Sequence, residues 1–182
     1  MLPLDPRPRF LPAVTIRPVE PGDAAALRAF YDGLSPDSRY RRLMSMGARV
    51  AESDATRFCR ADHDHREGFV AVAEPGGAMA PAETPEIVGH ICLEPCRPGV
   101  VEMAVAVADR FQGRGIGRAL TAASLDWAER HGIRWLRATM LSDNAGIVRL
   151  LQSLRRPLTF TTPSAGVIEA VVQVAAGPAR AA

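Results

Sequence analysis

A glycine-rich segment that also carries arginines, residues 110–118 (RFQGRGIGR), is the part of the sequence best suited to chemistry. It follows an apolar stretch, residues 100–107, and precedes a helix-like stretch, residues 119–130. A strand, a glycine-rich turn and a helix N-terminus form an anion site, because backbone N–H groups converge there and the helix dipole favours negative charge. Glycine lets the backbone approach a ligand closely, and forked guanidinium groups suit phosphate oxygens. The segment therefore predicts a seat for a pyrophosphate.

The spacing of the glycines excludes two common phosphate-binding motifs. A dinucleotide-binding fold needs G-x-G-x-x-G near the start of a βαβ unit, whereas Gly113, Gly115 and Gly117 are spaced G-x-G-x-G. A P-loop needs a lysine, and all 22 basic residues of this chain are arginine. The pattern that remains is Gln112-x-x-Gly115-x-Gly117.

This remaining pattern resembles the acetyl-CoA-binding motif [QR]-x-x-G-x-[GA] of the GNAT superfamily of N-acetyltransferases. Its place after a strand and before a helix agrees with that family. The resemblance implies that acetyl-CoA is the co-substrate. It also implies that its pyrophosphate binds the turn formed by Gln112, Gly113, Arg114, Gly115, Ile116, Gly117 and Arg118.

Glu102 is the acidic residue whose position most suggests catalysis. It interrupts the apolar stretch 100–107, where a carboxylate has no evident packing role. Side chains alternate along a strand, so Glu102 shares a face with Ala104 and Ala106, whose small side chains leave a groove beside it. Either this face is reactive and Glu102 is a general base, or the face is solvated and Glu102 simply points outward. In the lysine acetyltransferases that the chain resembles, a glutamate at this position is the base.

Three further cofactor contacts are implied by the resemblance alone. In the family this strand separates from the next one, and the pantetheine arm pairs with its backbone. Carried over, Val105 and Val107 offer N–H and C=O groups to the pantetheine amides. Asn144 matches a family asparagine that opens the next helix and contacts the arm. Its other role is that of a helix N-cap, for which Ser142 and Asp143 are rivals.

Two positions depart from the family pattern. Many GNAT enzymes place a tyrosine seven residues after that asparagine, as general acid for the leaving thiolate, and here the position is Leu151. Members of the protein-acetylating subgroup often lack this tyrosine too. The usual Gly-Phe after the helix is replaced by Arg155-Arg156, which bears on the C-terminal strands rather than on the cofactor site.

The N-terminal half resembles one subgroup of the family. Residues 34–42 (LSPDSRYRR) are similar to an L-S-P-E-S-R-Y-x-R pattern in the catalytic domains of bacterial protein-lysine acetyltransferases. Residues 62–64 (DHD) and 68–72 (GFVAV) resemble their D-Y-D turn and the strand that follows. The resemblance implies a protein lysine as the amine acceptor. A small amine, or a non-catalytic module that senses acetyl-CoA, is the alternative.

The other polar clusters give weaker evidence for a functional site. Residues 62–65 (DHDH) have metal-binding side chains, but consecutive positions in a turn cannot all face one ion, so no metal site is predicted. Cys92 and Cys96 flank a predicted turn and lack a second pair of ligands. Arg39, Arg41 and Arg42 form either a solvated helix face or a rim that attracts an acidic substrate, and the solvated face is preferred.

Composition fits a single domain. A chain of 182 residues with a net charge of +2 has no strong field that would favour nucleic acid. No apolar stretch approaches the length of a membrane span, and three cysteines without disulfide-like spacing fit a reducing cytoplasm. We therefore expect a cytoplasmic protein without a nucleic-acid or membrane partner, and self-association into a homodimer stays open.

Hydrophobic periodicity and turn residues divide the chain into a flexible proline-rich arm (1–12), one domain (13–174) and a disordered tail (175–182). The predicted order is β-α-α-β-β-β-α-β-α-β-β, the mixed α/β order of the GNAT fold, with an additional short helix at 53–60. Strands are expected at 13–19, 69–73, 87–93, 100–107, 134–141, 158–162 and 166–174, and longer helices from 23, at 36–46, 119–130 and 143–154.

Overall fold

A seven-stranded mixed sheet with helices on both faces is the frame of the computed structural model, which describes residues 14–75 and 84–174. The strands are β1 Val14–Pro18, β2 Glu67–Ala73, β3 Glu86–Arg97, β4 Val100–Val107, β5 Trp135–Leu141, β6 Leu158–Phe160 and β7 Val167–Gln173. The helices are α1 Ala24–Asp32, α2 Pro36–Leu43, α3 Glu52–Phe58, α4 Ile116–Arg130 and α5 Ala145–Ser153. Short 3-10 turns occupy Pro21–Asp23 and Asp109–Phe111.

The sheet has the strand order β1-β2-β3-β4-β5-β7-β6. Neighbouring strands are antiparallel everywhere except between β4 and β5, which are parallel and are connected through α4. The predicted fold class is confirmed, and the predicted short third helix is present. The proposed arm at 1–12 and the tail at 175–182 lie outside the described residues.

Several predicted boundaries were wrong by one turn or one strand end. The helix expected from residue 119 already begins at Ile116, directly after Gly115. The helix expected to reach residue 46 ends at Leu43, because Met44 adopts a left-handed conformation with φ of 50°. Cys92 and Cys96 do not flank a turn, since both lie within β3, which continues to Arg97.

Two apolar cores lie on opposite faces of the sheet, and alternate side chains of β2 belong to each of them. All seven residues of β2 are buried. Phe69 and Ala71 face a core shared with α4 and α5, whereas Val70 and Val72 face a core shared with α1, α2 and α3. A strand covered on both faces reads as a continuous apolar stretch rather than an alternating one. Within the described ranges, none of the helices combines the length and apolar character that crossing a bilayer requires.

A buried polar pair lies in the second core. The Tyr31 hydroxyl and the Nδ1 atom of His90 are joined by a hydrogen bond of 2.8 Å, and His90 is completely buried. Burial lowers the pKa of His90 to about 3, and the nearby Arg42 charge acts in the same direction. The imidazole is therefore neutral at pH 7.

The buried imidazole predicts a loss of stability in mild acid. The folded-state pKa lies below the ordinary value of 6.5, so the unfolded chain takes up the proton first, and stability that is full above pH 6.5 declines as the pH falls towards 3. Between pH 7 and pH 5 this amounts to about 2 kcal/mol of unfolding free energy. Urea unfolding at pH 7 and at pH 5 measures this difference in unfolding free energy. A His90→Gln variant should lose most of this pH dependence, and an unchanged dependence would contradict the assignment.

Candidate functional site

A gap opens in the middle of the sheet where β4 and β5 separate. The two strands pair only at Val100 with Trp135, Val101 with Leu136 and Glu102 with Arg137. Beyond Glu102, β4 keeps its pairing with β3, and β5 keeps its pairing with β7. Among the strands of residues 14–75 and 84–174, none covers this edge of the second half of β4.

The backbone of Val105 and Val107 faces this gap. Ala108 donates its N–H to the carbonyl oxygen of Val88 at 2.9 Å, which makes these two residues a hydrogen-bonded pair. Hydrogen-bonded and non-hydrogen-bonded pairs alternate along antiparallel strands. Val107 and Val105, opposite Gly89 and Ile91, are thus non-hydrogen-bonded pairs with β3. Their N–H and C=O groups point towards the side from which β5 has departed.

The glycine-rich turn closes one end of the gap. Gly113 and Gly115 have φ values of 71° and 88°, a region that side chains with a Cβ rarely occupy. Gly115 is the N-cap of α4. A Cβ placed on either glycine would meet no atom within 4 Å, so the space in front of the turn is open. Ile116 is 3% exposed and packs in the core, which leaves only its backbone for a ligand.

A cleft of about 700 Å³ joins the gap to this turn. Its walls come from α2, the uncovered half of β4, the turn and α5. All but one of the predicted cofactor contacts line it; Arg114 is the exception. The residues that contribute are Val105, Val107, Gln112, Gly113, Gly115, Ile116, Gly117, Arg118 and Asn144.

Two exposed arginines at the cleft suit a phosphate. Arg118 on the first turn of α4 and Arg149 on α5 both line the cleft, and neither forms an ion pair with any residue in the described ranges. Arg114, by contrast, donates its Nε–H to the carbonyl oxygen of Arg110 at 3.2 Å. The open turn, the start of α4 and these cations together fit a pyrophosphate.

Gln112 holds the turn against α2. Its amide nitrogen donates to the carbonyl oxygen of Val107 at 3.0 Å and to the Ser38 hydroxyl at 3.1 Å. Asp109 accepts hydrogen bonds from the Ser35 N–H at 2.9 Å and from the Ser35 and Ser38 hydroxyls at 2.7 Å each. Burial alone would raise the pKa of Asp109, but these hydrogen bonds lower it overall. Ser35 is also the N-cap of α2, as predicted.

The serine–aspartate cluster predicts a measurable contribution to stability. Replacing Asp109 with alanine removes the acceptor of three hydrogen bonds. Because the cluster is partly exposed, we expect a loss of about 1–2 kcal/mol of unfolding free energy. Thermal and urea unfolding measure it, with exposed Asp126 on α4 changed to alanine as the control. Equal stability of the two variants would contradict the inference that Asp109 holds the start of α2 in place.

Asn144 is the N-cap of α5. Its side-chain oxygen accepts a hydrogen bond from the N–H of Ile147 at 3.3 Å, so Asn144, rather than Ser142 or Asp143, has this role. Asp143 instead forms an ion pair with Arg41 at 3.0 Å. That pair connects α2 to the loop before α5 at the edge of the cleft. A contact between Asn144 and the cofactor stays a prediction.

Glu102 lies at the last paired position of β4 and β5. Its carboxylate accepts hydrogen bonds from Arg137 at 2.6 Å and from the Thr139 hydroxyl at 3.1 Å, and its side chain is 37% exposed. The hydrogen bond to Glu102 is the main cause of the raised pKa of Arg137. Glu102 is therefore held in place, and it still presents a solvent-accessible carboxylate.

A second cavity, of about 410 Å³, contains Glu102. It lies on the same face of β4 as Ala104 and is bordered by α2, α3, β3 and β5. Glu94, opposite Glu102 on β3, is paired with Arg57 at 2.9 Å and with Arg66 at 3.2 Å. The cavity is lined by Arg42, Arg57, Phe58, Cys92, Glu94, Pro95, Cys96, Glu102, Ala104 and Arg137.

The preference for a solvated arginine face on α2 was wrong for Arg42. Its guanidinium lies 5.7 Å from the centre of the Tyr31 ring and 6.0 Å from that of Phe58. Two residues of the cleft were not predicted as site residues: Ser38, and Arg149 on α5. Ser38 and Arg42 are four residues apart, which places both on one helix face. That spacing is the signal that could have identified Ser38 and Arg42 as neighbours at the site.

The two departures from the family pattern have structural counterparts. Leu151 is 1% exposed and belongs to the core, so no acid is available at this position. Arg155, where the pattern has glycine, adopts a positive φ of 54°. β6 and β7 form after it.

The Asp-His turn is held by local hydrogen bonds. Asp62 accepts three from the backbone N–H groups of residues 64–66, and these bonds lower its pKa to about 2. His63 contacts the Glu67 carboxylate at 2.9 Å. In the part of the chain that the structure describes, no three His, Cys, Asp or Glu side chains are grouped so as to hold a metal ion.

Comparison with known proteins identifies similar chains. The model of the Acetyltransferase (GNAT) family matches residues 27–154. The acetyltransferase PA5475 of Pseudomonas aeruginosa is 28% identical over 121 residues, which are 66% of this chain and 62% of that protein. A mycothiol acetyltransferase of Nocardiopsis dassonvillei is 31% identical over 155 residues, which are 81% of this chain and 44% of that protein. The chain thus spans less than two thirds of either relative.

Solved structures share the fold over most of the chain. The GNAT domain of S. lividans PAT superposes with a TM-score of 0.74 and 25% identity, covering 88% of this chain and 90% of that domain. The yncA protein of Salmonella typhimurium, solved with its cofactor acetyl-CoA, superposes with a TM-score of 0.69 and 22% identity, covering 90% of this chain and 95% of that one.

Proposed function

The chain belongs to the GNAT family of acetyltransferases, and we propose that it transfers an acetyl group from acetyl-CoA to a primary amine, with Glu102 as the general base. The observation that carries this proposal is the parting of β4 from β5 beside an open glycine turn. The cleft there offers uncovered backbone groups at one end and a helix N-terminus with arginines at the other. An extended arm that ends in a pyrophosphate matches both ends.

Each group in the cleft has a defined task in binding acetyl-CoA. The turn and the N-terminus of α4, with Arg118 and Arg149, hold the pyrophosphate. Val105 supplies N–H and C=O groups to the pantetheine amides. Val107 supplies mainly its N–H, because Gln112 already donates to its carbonyl oxygen. The thioester then lies along β4 towards Ala104 and Glu102.

Glu102 removes the proton that keeps an amine unreactive. A lysine amine has a pKa near 10.4, so only about one in 10³ is neutral at pH 7. A base that accepts this proton directly or through a water is typically worth about 10²–10⁴-fold in rate. The Glu102 carboxylate is accessible in the second cavity, while Arg137 and Thr139 fix its orientation. We therefore assign the second cavity to the amine acceptor.

A protein lysine is the acceptor we favour. The α2 pattern resembles that of protein-lysine acetyltransferases, and α2 lines both cavities. The GNAT domain of S. lividans PAT, 25% identical in sequence, covers 88% of this chain. α2 thus contributes to the acceptor side as well as to the cofactor side.

A small amine is the second candidate. The relative named for mycothiol, a small molecule, is 31% identical over 155 residues. The second cavity, of about 410 Å³, is large enough for a small acceptor. A module that only senses acetyl-CoA is less favoured, because it needs no solvent-accessible carboxylate such as that of Glu102 beside the end of the cleft.

Acetyl-CoA with a radioactive acetyl group, incubated with the protein and a cell lysate, tests the acceptor class. We expect the label in the protein fraction, on lysine side chains. Label confined to small amines would favour the second candidate. Binding of acetyl-CoA without either product, across a panel of acceptors, would contradict the proposed function and favour a sensor.

A further inference from the structure

Arg42 occupies the junction between the two cavities. Among the described residues it alone lines both the cofactor cleft and the cavity that contains Glu102. Acyl transfer requires the thioester from one side to meet the amine from the other. Arg42 therefore borders the place where the reacting atoms would meet.

The position of Arg42 along β4 agrees with this. Its Nη2 atom lies 3.3 Å from the Cys92 sulfur, and Cys92 is directly opposite Ala104. Glu102, Ala104 and Ala106 follow each other on one face of β4 at intervals of about 7 Å. Glu102 lies in the acceptor cavity and Ala106 in the cofactor cleft. The guanidinium is thus one step from the base, towards the cofactor.

The charge of Arg42 has no carboxylate partner among the described residues, unlike those of its neighbours. Arg57 is paired with Glu94, and Arg137 is paired with Glu102. The groups against Arg42 are neutral at pH 7, because burial raises the pKa of Tyr31 to about 12 and also raises that of the Cys92 thiol. Its Nε atom is buried without a hydrogen-bond partner. A buried donor without a partner, and a charge that only aromatic rings and a thiol face, are costly unless a ligand uses them.

We propose that Arg42 is a catalytic residue that donates hydrogen bonds to the thioester carbonyl oxygen of acetyl-CoA and stabilises the oxyanion formed during transfer. This inference rests on the proposed function. Donors aimed at a developing oxyanion in a site shielded from water are among the most effective catalytic groups.

Acetyl transfer forms a C–N bond and breaks the C–S bond of the thioester. The lone pair of the neutral amine forms a bond to the carbonyl carbon, and the C=O π pair moves to oxygen, where Arg42 holds the negative charge. Glu102 has by then released to solvent the proton that it took from the ammonium group, and it accepts the second proton that the nitrogen loses after attack. The oxyanion then restores the C=O bond and expels the CoA thiolate, which takes up a proton from solvent. The products are an N-acetyl amine and CoA.

Infrared difference spectroscopy of the full chain with acetyl-CoA labelled with ¹³C at the thioester carbonyl tests this without an acceptor. A hydrogen bond from Arg42 should shift the carbonyl band of the bound wild-type complex to lower frequency than in free acetyl-CoA. Arg42→Gln should lose most of this shift. Arg57→Gln is the matched control, because Arg57 lines the acceptor cavity but not the cofactor cleft. The Arg57→Gln complex should keep the shift.

A second variant at Arg42 distinguishes the loss of the hydrogen bond from misfolding of the protein. Arg42→Lys keeps the charge but not the planar fork of donors, and it should give an intermediate band, with acetyl-CoA affinity and thermal unfolding close to those of the wild type. An unshifted wild-type band, or equal bands in wild type and Arg42→Gln, would overturn the role of Arg42. That result leaves the proposed function standing, because the labelled-lysate experiment decides it separately.

Kinetics with the acceptor found in that experiment separate two roles for Arg42. Loss of an oxyanion donor should lower kcat by about 10²–10³ with little change in the KM for acetyl-CoA. A raised KM for the acceptor with kcat preserved would instead show that Arg42 anchors an acidic group of the acceptor, and it would overturn the proposal.

Discussion

Gly115→Asp is expected to lower the affinity for acetyl-CoA by at least about 10²-fold, because a like charge placed against the pyrophosphate costs several kcal/mol. The Cβ of the new side chain enters the open space before the turn, where no atom of the described residues other than Gly115 and its chain neighbours lies within 4 Å. Folding should tolerate the change, since aspartate is one of the few residues that accept a left-handed backbone. Calorimetric titration with acetyl-CoA measures the effect.

Gly132→Asp is the matched control. Gly132 follows the C-terminal end of the same helix, α4, and has a positive φ of 68°. A Cβ added there would likewise meet no atom within 4 Å. The substitution imposes a similar backbone strain far from the turn. If Gly132→Asp weakened binding as much as Gly115→Asp, the loss would come from general strain and the pyrophosphate site would be assigned wrongly.

Glu102→Gln is expected to lower kcat by about 10²–10³ and to leave the affinity for acetyl-CoA nearly unchanged. The amide keeps the shape of the side chain but cannot accept the proton of the amine. Glu102 borders the acceptor cavity and not the cofactor cleft, which is why the two effects should separate. Steady-state kinetics and calorimetry on the same preparation measure them.

Glu169→Gln provides the control for this variant. Glu169 also pairs with Arg137, at 3.6 Å, but it lines neither cavity. If weaker contacts of Arg137 lowered kcat, both variants should show the effect. If the loss of the base lowers kcat, only Glu102→Gln should show it. Full activity of Glu102→Gln would mean that its carboxylate serves only the ion pair with Arg137, and another base would have to be sought.

Much of the fold follows from local patterns. The apolar stretch 100–107 forms β4 with the predicted bounds, and Ser35 caps α2 as its sequence context predicts. The first turn of α4 was missed because Gly115 and Gly117 suggest a loop, although Gly115 at a left-handed φ starts the helix directly. Boundaries of this kind depend on backbone conformations that a glycine permits but does not dictate.

The surroundings of the candidate base were not predictable in the same way. Glu102 and Arg137 are 35 residues apart, and their contact depends on the parallel pairing of β4 with β5. Arg42 was assigned to a solvated face together with Arg39 and Arg41. Its burial depends on how α2 packs against Tyr31 and Phe58, which lie on other helices. Contacts between distant segments carry no periodic signal in the sequence.

The stability of the transferred label towards alkaline hydroxylamine tests the central claim, acetyl transfer to an amine nitrogen, most directly. Products labelled from radioactive acetyl-CoA by the wild-type protein and by Glu102→Gln are compared before and after treatment. An amide survives this treatment, whereas a thioester or an ester does not. We predict a resistant label from the wild type and far less of it from the variant. A labile label, or equal resistant label from both proteins, would contradict the account.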